Sequence, residues 1–203
     1  MKRLFPPLQY LNIPNAMTSL AIVLGITCLV LLANGFTRLP AALFILVFML
    51  DFFDGVAARR LKQTSPLGGD LDSLADALNF VAIPAIVGWS LGMRSVFEIG
   101  ILCLYVLAGI WRLAFYNVHG LDDEEQGNPT FTGLPTTYAA AYFVVAVCLS
   151  QTLNLGIHWI GSIYLGVSAL FMISALPVRK KGLILPVTTI SVVGSVLLYV
   201  LRG

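Results

Sequence analysis

The length of its apolar runs constrains this chain more than anything else in it. Charge-poor stretches cover residues 14–34, 39–59, 72–92, 96–116, 133–151, 157–176 and 183–201. A helix of about 18 or more such residues is long enough to cross a bilayer. The composition agrees, with 58% hydrophobic residues against 11% charged ones and a mean hydropathy of +0.90. The pattern predicts an all-α, polytopic transmembrane helix bundle of about 6–8 spans, with residues 1–203 forming a single integral-membrane domain.

The amino end, MKRLFPPLQYLNIPN, carries two basic residues, a Pro-Pro break and the aromatics Phe5 and Tyr10. It reads as a short interfacial segment ahead of the first span. The first long apolar run starts only after Asn15 and lacks a small-residue cleavage site, which argues against a cleaved signal peptide. In Pro14-Asn15-x2-Thr18 the sequence marks a helix start, with Asn15 as a capping side chain.

Basic residues set the expected topology. With the N-terminus cytoplasmic, Lys2, Arg3, Arg59, Arg60, Lys62, Arg112, Arg179, Lys180 and Lys181 lie inside, and Arg38, Arg94 and Arg202 lie outside. The positive-inside rule favours that orientation. Cys28, Cys103 and Cys148 fall in apolar segments without CxxC or Cys/His spacing, and read as small buried hydrophobes. No basic patch with interleaved aromatics appears, so no nucleic-acid partner is expected.

Against this apolar background the run DFFDGVAARRLKQTSPLGGDLDSLADALNF, starting at Asp51, holds five of the ten acidic residues. Residues three or four apart share a helix face, so Asp51 pairs with Asp54 and Asp72 with Asp76, while Asp70 points elsewhere. A basic connection, Arg59 to Gly68, can turn the second helix back on the first. Four facing carboxylates near a membrane are strongly unfavourable unless something neutralises them. One reading has divalent cations do so, and oxygen-only donors fit Mg²⁺ or Mn²⁺ better than zinc. The other has Arg59, Arg60 or Lys62 pair with them as plain salt bridges. Ionisable residues within a membrane favour the functional reading. Gly55 and Gly68 also leave backbone bare for a phosphate to approach.

The pattern Asp51-x2-Asp54-Gly55-x2-Ala58-Arg59-x8-Gly68-x3-Asp72-x3-Asp76 resembles the signature of the CDP-alcohol phosphotransferases at every fixed position. Within that family the runs LDFFDGVAARRL, RLAFYNV (Arg112 to Val118) and FTGLP (Phe131 to Pro135) most resemble the type II, CDP-diacylglycerol-dependent phosphatidylserine synthases.

That resemblance implies transfer of a phosphatidyl group from CDP-diacylglycerol to the hydroxyl of L-serine, with release of CMP. It also implies two divalent cations, Mg²⁺ or Mn²⁺, held by Asp51, Asp54, Asp72 and Asp76, with Asp76 as the general base. Asn15, Thr18, Gly55, Ala58, Arg59 and Gly68 would bind the CDP-lipid. Arg112, Asn117, Thr130, Gly133 and Pro135 would line the acceptor site. The family further implies a homodimer among membrane lipids, and the orientation set by the basic residues puts the active site at the cytoplasmic face of the cell membrane.

Three rival readings stay in view. The same donor can serve glycerol 3-phosphate, inositol phosphate or choline, although a phosphorylated acceptor calls for more cations than the inner face offers. An archaeal ether-lipid donor would leave similar marks. A divalent-cation transporter would spread its acids across the bilayer depth, whereas these cluster at one face. Asp122 to Glu125 read as a solvated loop, with His119 beside them as a candidate pH-sensitive contact. Pro84 reads as a kink in the third span, and Gly88-x3-Gly92 as a close helix contact.

Overall fold

A computed structural model describes residues 5–120, 130–179 and 184–202. Lys2, Arg3, Asp122 to Glu125, Asn128, Lys180 and Lys181, and the side chains of Thr130 and Arg179, fall outside the described set.

A short 3₁₀ turn, Pro6–Tyr10, lies fully exposed ahead of the bundle. Four apolar rods follow that are each long enough to cross a membrane. They are α1 (Ile13–Ala33), α2 (Arg38–Arg60), a composite rod and α5 (Val96–His119). The composite rod runs from α3 (Pro66–Asp76) through a π-helical turn (Ala77–Ala82) into α4 (Ile83–Ser90). Then come α6 (Thr136–Thr152), α7 (Ile157–Met172) and α8 (Ile184–Leu201), of 17, 16 and 18 residues. The fold is an all-α polytopic bundle. Its outward faces keep Val23, Leu46, Leu107, Ile163 and Leu198 exposed, as expected of a protein whose solvent is lipid.

Lipid is as apolar as leucine, so close packing rather than water exclusion holds such helices together. Small residues make that packing possible. Ala139, Ala140 and Ala141 of α6 are wholly buried between two clusters. One gathers Phe44, Val47, Phe80 and Val192 from α2, the π turn and α8. The other gathers Met93, Tyr105, Phe143 and Leu165 around α5, α6 and α7. At Gly109 an added methyl group would lie 2.7 Å from both methyls of Val81.

Several local expectations need correction. The cap of α1 is Asn12, whose Oδ1 accepts from the Asn15 N–H at 2.9 Å; Asn15 itself sits in the first turn, because Pro14 is already helical. The third rod begins at Pro66, earlier than residue 72, since Ser65 caps it and Pro66 suits its first turn. The basic connection therefore shrinks to residues 61–65, and Arg59 and Arg60 close α2. Lys62 takes φ +54 there, and the Gln63 N–H returns to the Ala58 carbonyl at 2.9 Å, ending the helix in a left-handed cap.

The kink expected at Pro84 takes the form of the π turn just before it. Gly88 packs within the chain against Met93 and Leu102, but Gly92 has φ +112 in the turn after α4, so the two glycines share no helix face. Cys103 is exposed, unlike Cys28 and Cys148. A two-stranded antiparallel pair, β1 (Thr130–Thr132) with β2 (Pro177–Arg179), was not anticipated.

Candidate active site

The end of α2, the 61–65 connection and the start of α3 fold over the first turns of α1 and enclose a cavity of about 260 Å³. Asn15, Thr18, Gly55, Ala58, Arg59 and Gly68 all line it, together with Asp54 and Asp72. The Asn12 Nδ2 donates to the Gln63 carbonyl at 3.5 Å, tying the connection to α1. Asn15 is buried, and its Nδ2 donates to the Tyr10 carbonyl at 2.8 Å. That bond turns its Oδ1 toward Gly68, where a methyl group would lie 2.9 Å from it. The bareness of Gly68 thus serves the Asn15 carboxamide. Gly55 is different: its nearest neighbour there is the Arg59 guanidinium, at an ordinary 3.5 Å.

Sequence reasoning missed Gln63, Thr64, Ser65 and Gly69 as further parts of this wall. The Ser65-Pro66 pair was a readable helix-start signal that would have drawn the connection inward.

The four aspartates sort as three and one. One carboxylate oxygen each from Asp51, Asp72 and Asp76 lies within 4.8 Å of the other two. Asp54 is buried and instead accepts from the Thr18 hydroxyl at 2.6 Å. Asp72 belongs both to the cluster and to the cavity wall, so it joins them. Asp70 is exposed and belongs to neither. Asp76 Oδ1 is buried and finds no hydrogen-bond donor among the described residues. An all-oxygen set with a buried, unsatisfied carboxylate oxygen suits a hard divalent cation.

Arg112 of α5 is buried, and its charge acts on Asp76 while its guanidinium lies 5.6 Å from the Tyr116 ring centroid. It also lines a second cavity of about 340 Å³, with Trp111, Phe115, Thr132 and the turn after α7. Of the other expected acceptor residues, Asn117, Gly133 and Pro135 do not line that cavity. Asn117 is exposed and accepts from the Ser73 hydroxyl at 2.7 Å, latching α5 to α3. Gly133, at φ +75, presses against the carbonyls of Phe171, Met172 and Ser174, and its N–H donates to the Leu176 carbonyl at 2.9 Å. Pro135 precedes α6, and Thr130 is placed only as the strand partner of Arg179. His119 stacks on Phe115, and its Nδ1 lies 3.0 Å from that residue's carbonyl.

The CDP-alcohol phosphatidyltransferase family model matches residues 11–174. The chain belongs to that family. It is thus a phosphatidyltransferase by family, and the match takes in the cavity, the aspartate cluster and Arg112. Among curated proteins it is similar to a CDP-diacylglycerol–serine O-phosphatidyltransferase of Bacillus subtilis, 38% identical over 131 residues, covering 63% of this chain and 71% of the relative. One of the same name from Mycobacterium tuberculosis is 30% identical over 175 residues, 83% of this chain and 61% of the relative. A Saccharomyces cerevisiae relative, again of that name, is 37% identical over 119 residues, 56% of this chain and 43% of the relative.

Proposed function

We propose that this CDP-alcohol phosphatidyltransferase moves a phosphatidyl group from CDP-diacylglycerol to the hydroxyl of L-serine and releases CMP. The observation that carries the reading is Asp72, shared between a cavity that holds all six expected CDP-lipid residues and a cluster of three carboxylates. The shared name of the Bacillus, Mycobacterium and yeast relatives supports serine as the acceptor.

Arg59 and the Asn15 carboxamide bind and orient the CMP half of the donor. Asp51, Asp54, Asp72 and Asp76 hold two divalent ions, Mg²⁺ or Mn²⁺, which when bound neutralise the diphosphate and the departing CMP. Thr18 fixes Asp54 through its hydrogen bond. Arg112 pairs with the serine carboxylate and keeps the serine hydroxyl beside Asp76. The hydroxyl oxygen attacks the phosphorus of the phosphatidyl group, its proton passes to Asp76, and the bond from that phosphorus to the CMP oxygen breaks. The reading includes a homodimer in the cell membrane, with the N-terminus and the site on the cytoplasmic side.

The test is CMP release by purified protein in detergent, supplied with CDP-diacylglycerol and, in turn, serine, glycerol 3-phosphate, inositol phosphate or choline. Release that needs serine and Mg²⁺ or Mn²⁺, and stops with a chelator, is expected. Release with another acceptor and none with serine overturns the acceptor. Release only from an ether-lipid analogue overturns the donor.

A further inference from the structure

Arg38 opens the helix that carries Asp54. At 1.5 Å per residue the two lie about 24 Å apart along α2, which puts Arg38 at the membrane face opposite the aspartates. There the first turn of α2, the end of α6 and the last turn of α8 surround a polar cavity of about 260 Å³. Its walls are Arg38, Gln151, Thr152, Asn154, Tyr199 and Arg202, so among the described residues two guanidiniums line it and no carboxylate does.

The local structure builds this cavity. Asn154 takes φ +54, and the Leu155 N–H returns to the Ser150 carbonyl at 2.8 Å, which ends α6 with the Asn154 side chain in the wall. The Tyr199 hydroxyl donates to Thr37 Oγ1 at 2.7 Å, and the Arg38 guanidinium lies 6.0 Å from the Tyr199 ring centroid. Arg202 reaches the Thr152 carbonyl with one nitrogen at 3.4 Å. Each guanidinium carries five N–H donors in a planar fork. Those contacts use one donor of Arg202 and the face of Arg38.

A single arginine at a membrane surface needs no ligand, because it snorkels. Two from helices far apart in sequence, lining one concavity, give it a positive potential that an anion between them relieves. A second cavity shows what kind of anion. Gln151 and Tyr199 also wall a narrow apolar cleft that runs inward past Pro40, Phe44, Val144 and Cys148. Its volume is about 60 Å³, roughly four times what one water requires, and its lining gives water few partners. A cationic mouth above a dry apolar cleft has the polarity of an amphiphile.

We propose that Arg38 and Arg202 bind the phosphate of an anionic phospholipid in the leaflet opposite the aspartate cluster, with the start of an acyl chain entering the cleft. Neither arginine lines the candidate active site, so this lipid is separate from the donor.

The test is native mass spectrometry of the detergent-solubilised protein titrated with phosphatidylglycerol, comparing the unaltered chain with Arg38→Gln/Arg202→Gln. The double variant is expected to retain one phosphatidylglycerol fewer, with about tenfold weaker binding at that site. Its CMP release in lipid-poor detergent should be unchanged, which reports an intact fold. Equal retention by the two proteins overturns the proposal. Competition by millimolar inorganic phosphate also overturns it, by making the site one for free phosphate. Should the double variant not fold, Arg202→Gln alone carries the same comparison from the last turn of α8.

Discussion

The Tyr105 hydroxyl donates to the main-chain carbonyl of Phe80 at 2.8 Å, and Phe80 is the residue four before Pro84. Proline has no N–H, so that carbonyl cannot take the i+4 bond an α-helix would give it, and α5 supplies a donor from a fully buried tyrosine. In hydrocarbon an unsatisfied carbonyl is a heavy penalty. Tyr105→Phe keeps the packing and removes the donor, and should destabilise the protein by about 1–3 kcal/mol. The π turn begins directly after Asp76, so serine turnover should fall as well. Thermal unfolding in detergent reads the first effect, and an unchanged melting temperature would show that the bond contributes nothing.

At the other acid pair the support comes from α1. The Thr18 hydroxyl, 2.6 Å from Asp54, is the side chain that donates to that buried carboxylate, beside the Gly55 backbone N–H. Thr18→Val preserves shape and deletes the bond, and a hydrogen bond to a charged group is worth about 1.5–3 kcal/mol. The kcat/KM for the CDP-lipid should drop roughly tenfold to hundredfold, and Thr18→Ser should restore most of it. Equal loss in the serine variant would assign Thr18 to packing.

Gly68 is tested against its neighbour. An alanine methyl there would stand 2.9 Å from Asn15 Oδ1 and 3.1 Å from Ser65 Oγ. Both are parts of the cavity wall. Gly68→Ala should raise the donor KM, and its effect should be non-additive with Asn15→Ala, which removes the atom in conflict. Simple additivity in the double-mutant cycle would uncouple the two positions.

The same residues show what the chain disclosed in advance. Asp51, Asp54, Asp72 and Asp76 were legible because helix periodicity alone puts each pair on one face. Their regrouping into three and one was not, since it depends on how α1 approaches α2 and hands Thr18 to Asp54. Pro84 announced a distortion but not its form, because the answering donor, Tyr105, lies on the next span. The strands Thr130–Thr132 and Pro177–Arg179 are too short to show alternation, and their pairing joins segments far apart in sequence. Asn12 and Ser65 are ordinary capping residues, each followed by a proline in the first turn of its helix. Among the acceptor residues, Gly133 and Asn117 are explained by chain packing and a latch to Ser73, which no reading of the sequence alone separates from ligand contact.

Asp76 has the strongest chemical assignment, and its replacement separates two roles. Its Oδ1 is buried without a described donor, which leaves a lone pair for a proton or a cation. Asp76→Asn keeps the shape and removes the basicity. Loss of a general base lowers turnover by about 10²–10⁴, while equilibrium binding of CDP-diacylglycerol should change little. Binding measured with a non-hydrolysable donor analogue tells the cases apart: loss of both together would make Asp76 a structural acid rather than the base.

Arg112 gives the sharpest discrimination between substrates. It is buried, its charge acts on Asp76, and it lines the 340 Å³ cavity rather than the cavity of the CDP-lipid residues. If it holds the serine carboxylate, Arg112→Ala should raise the serine KM at least about tenfold, the worth of a charge-assisted hydrogen bond, with the donor KM little altered. Arg112→Lys keeps the charge but not the planar fork, so it should recover only part of the loss. Ethanolamine, which has the hydroxyl and the amine of serine but no carboxylate, is the informative second acceptor. Whatever slow turnover it supports should be insensitive to Arg112→Ala, because the group that the arginine recognises is missing. A variant that slows both acceptors equally would place Arg112 with Asp76 as a positioning charge and remove it from acceptor recognition.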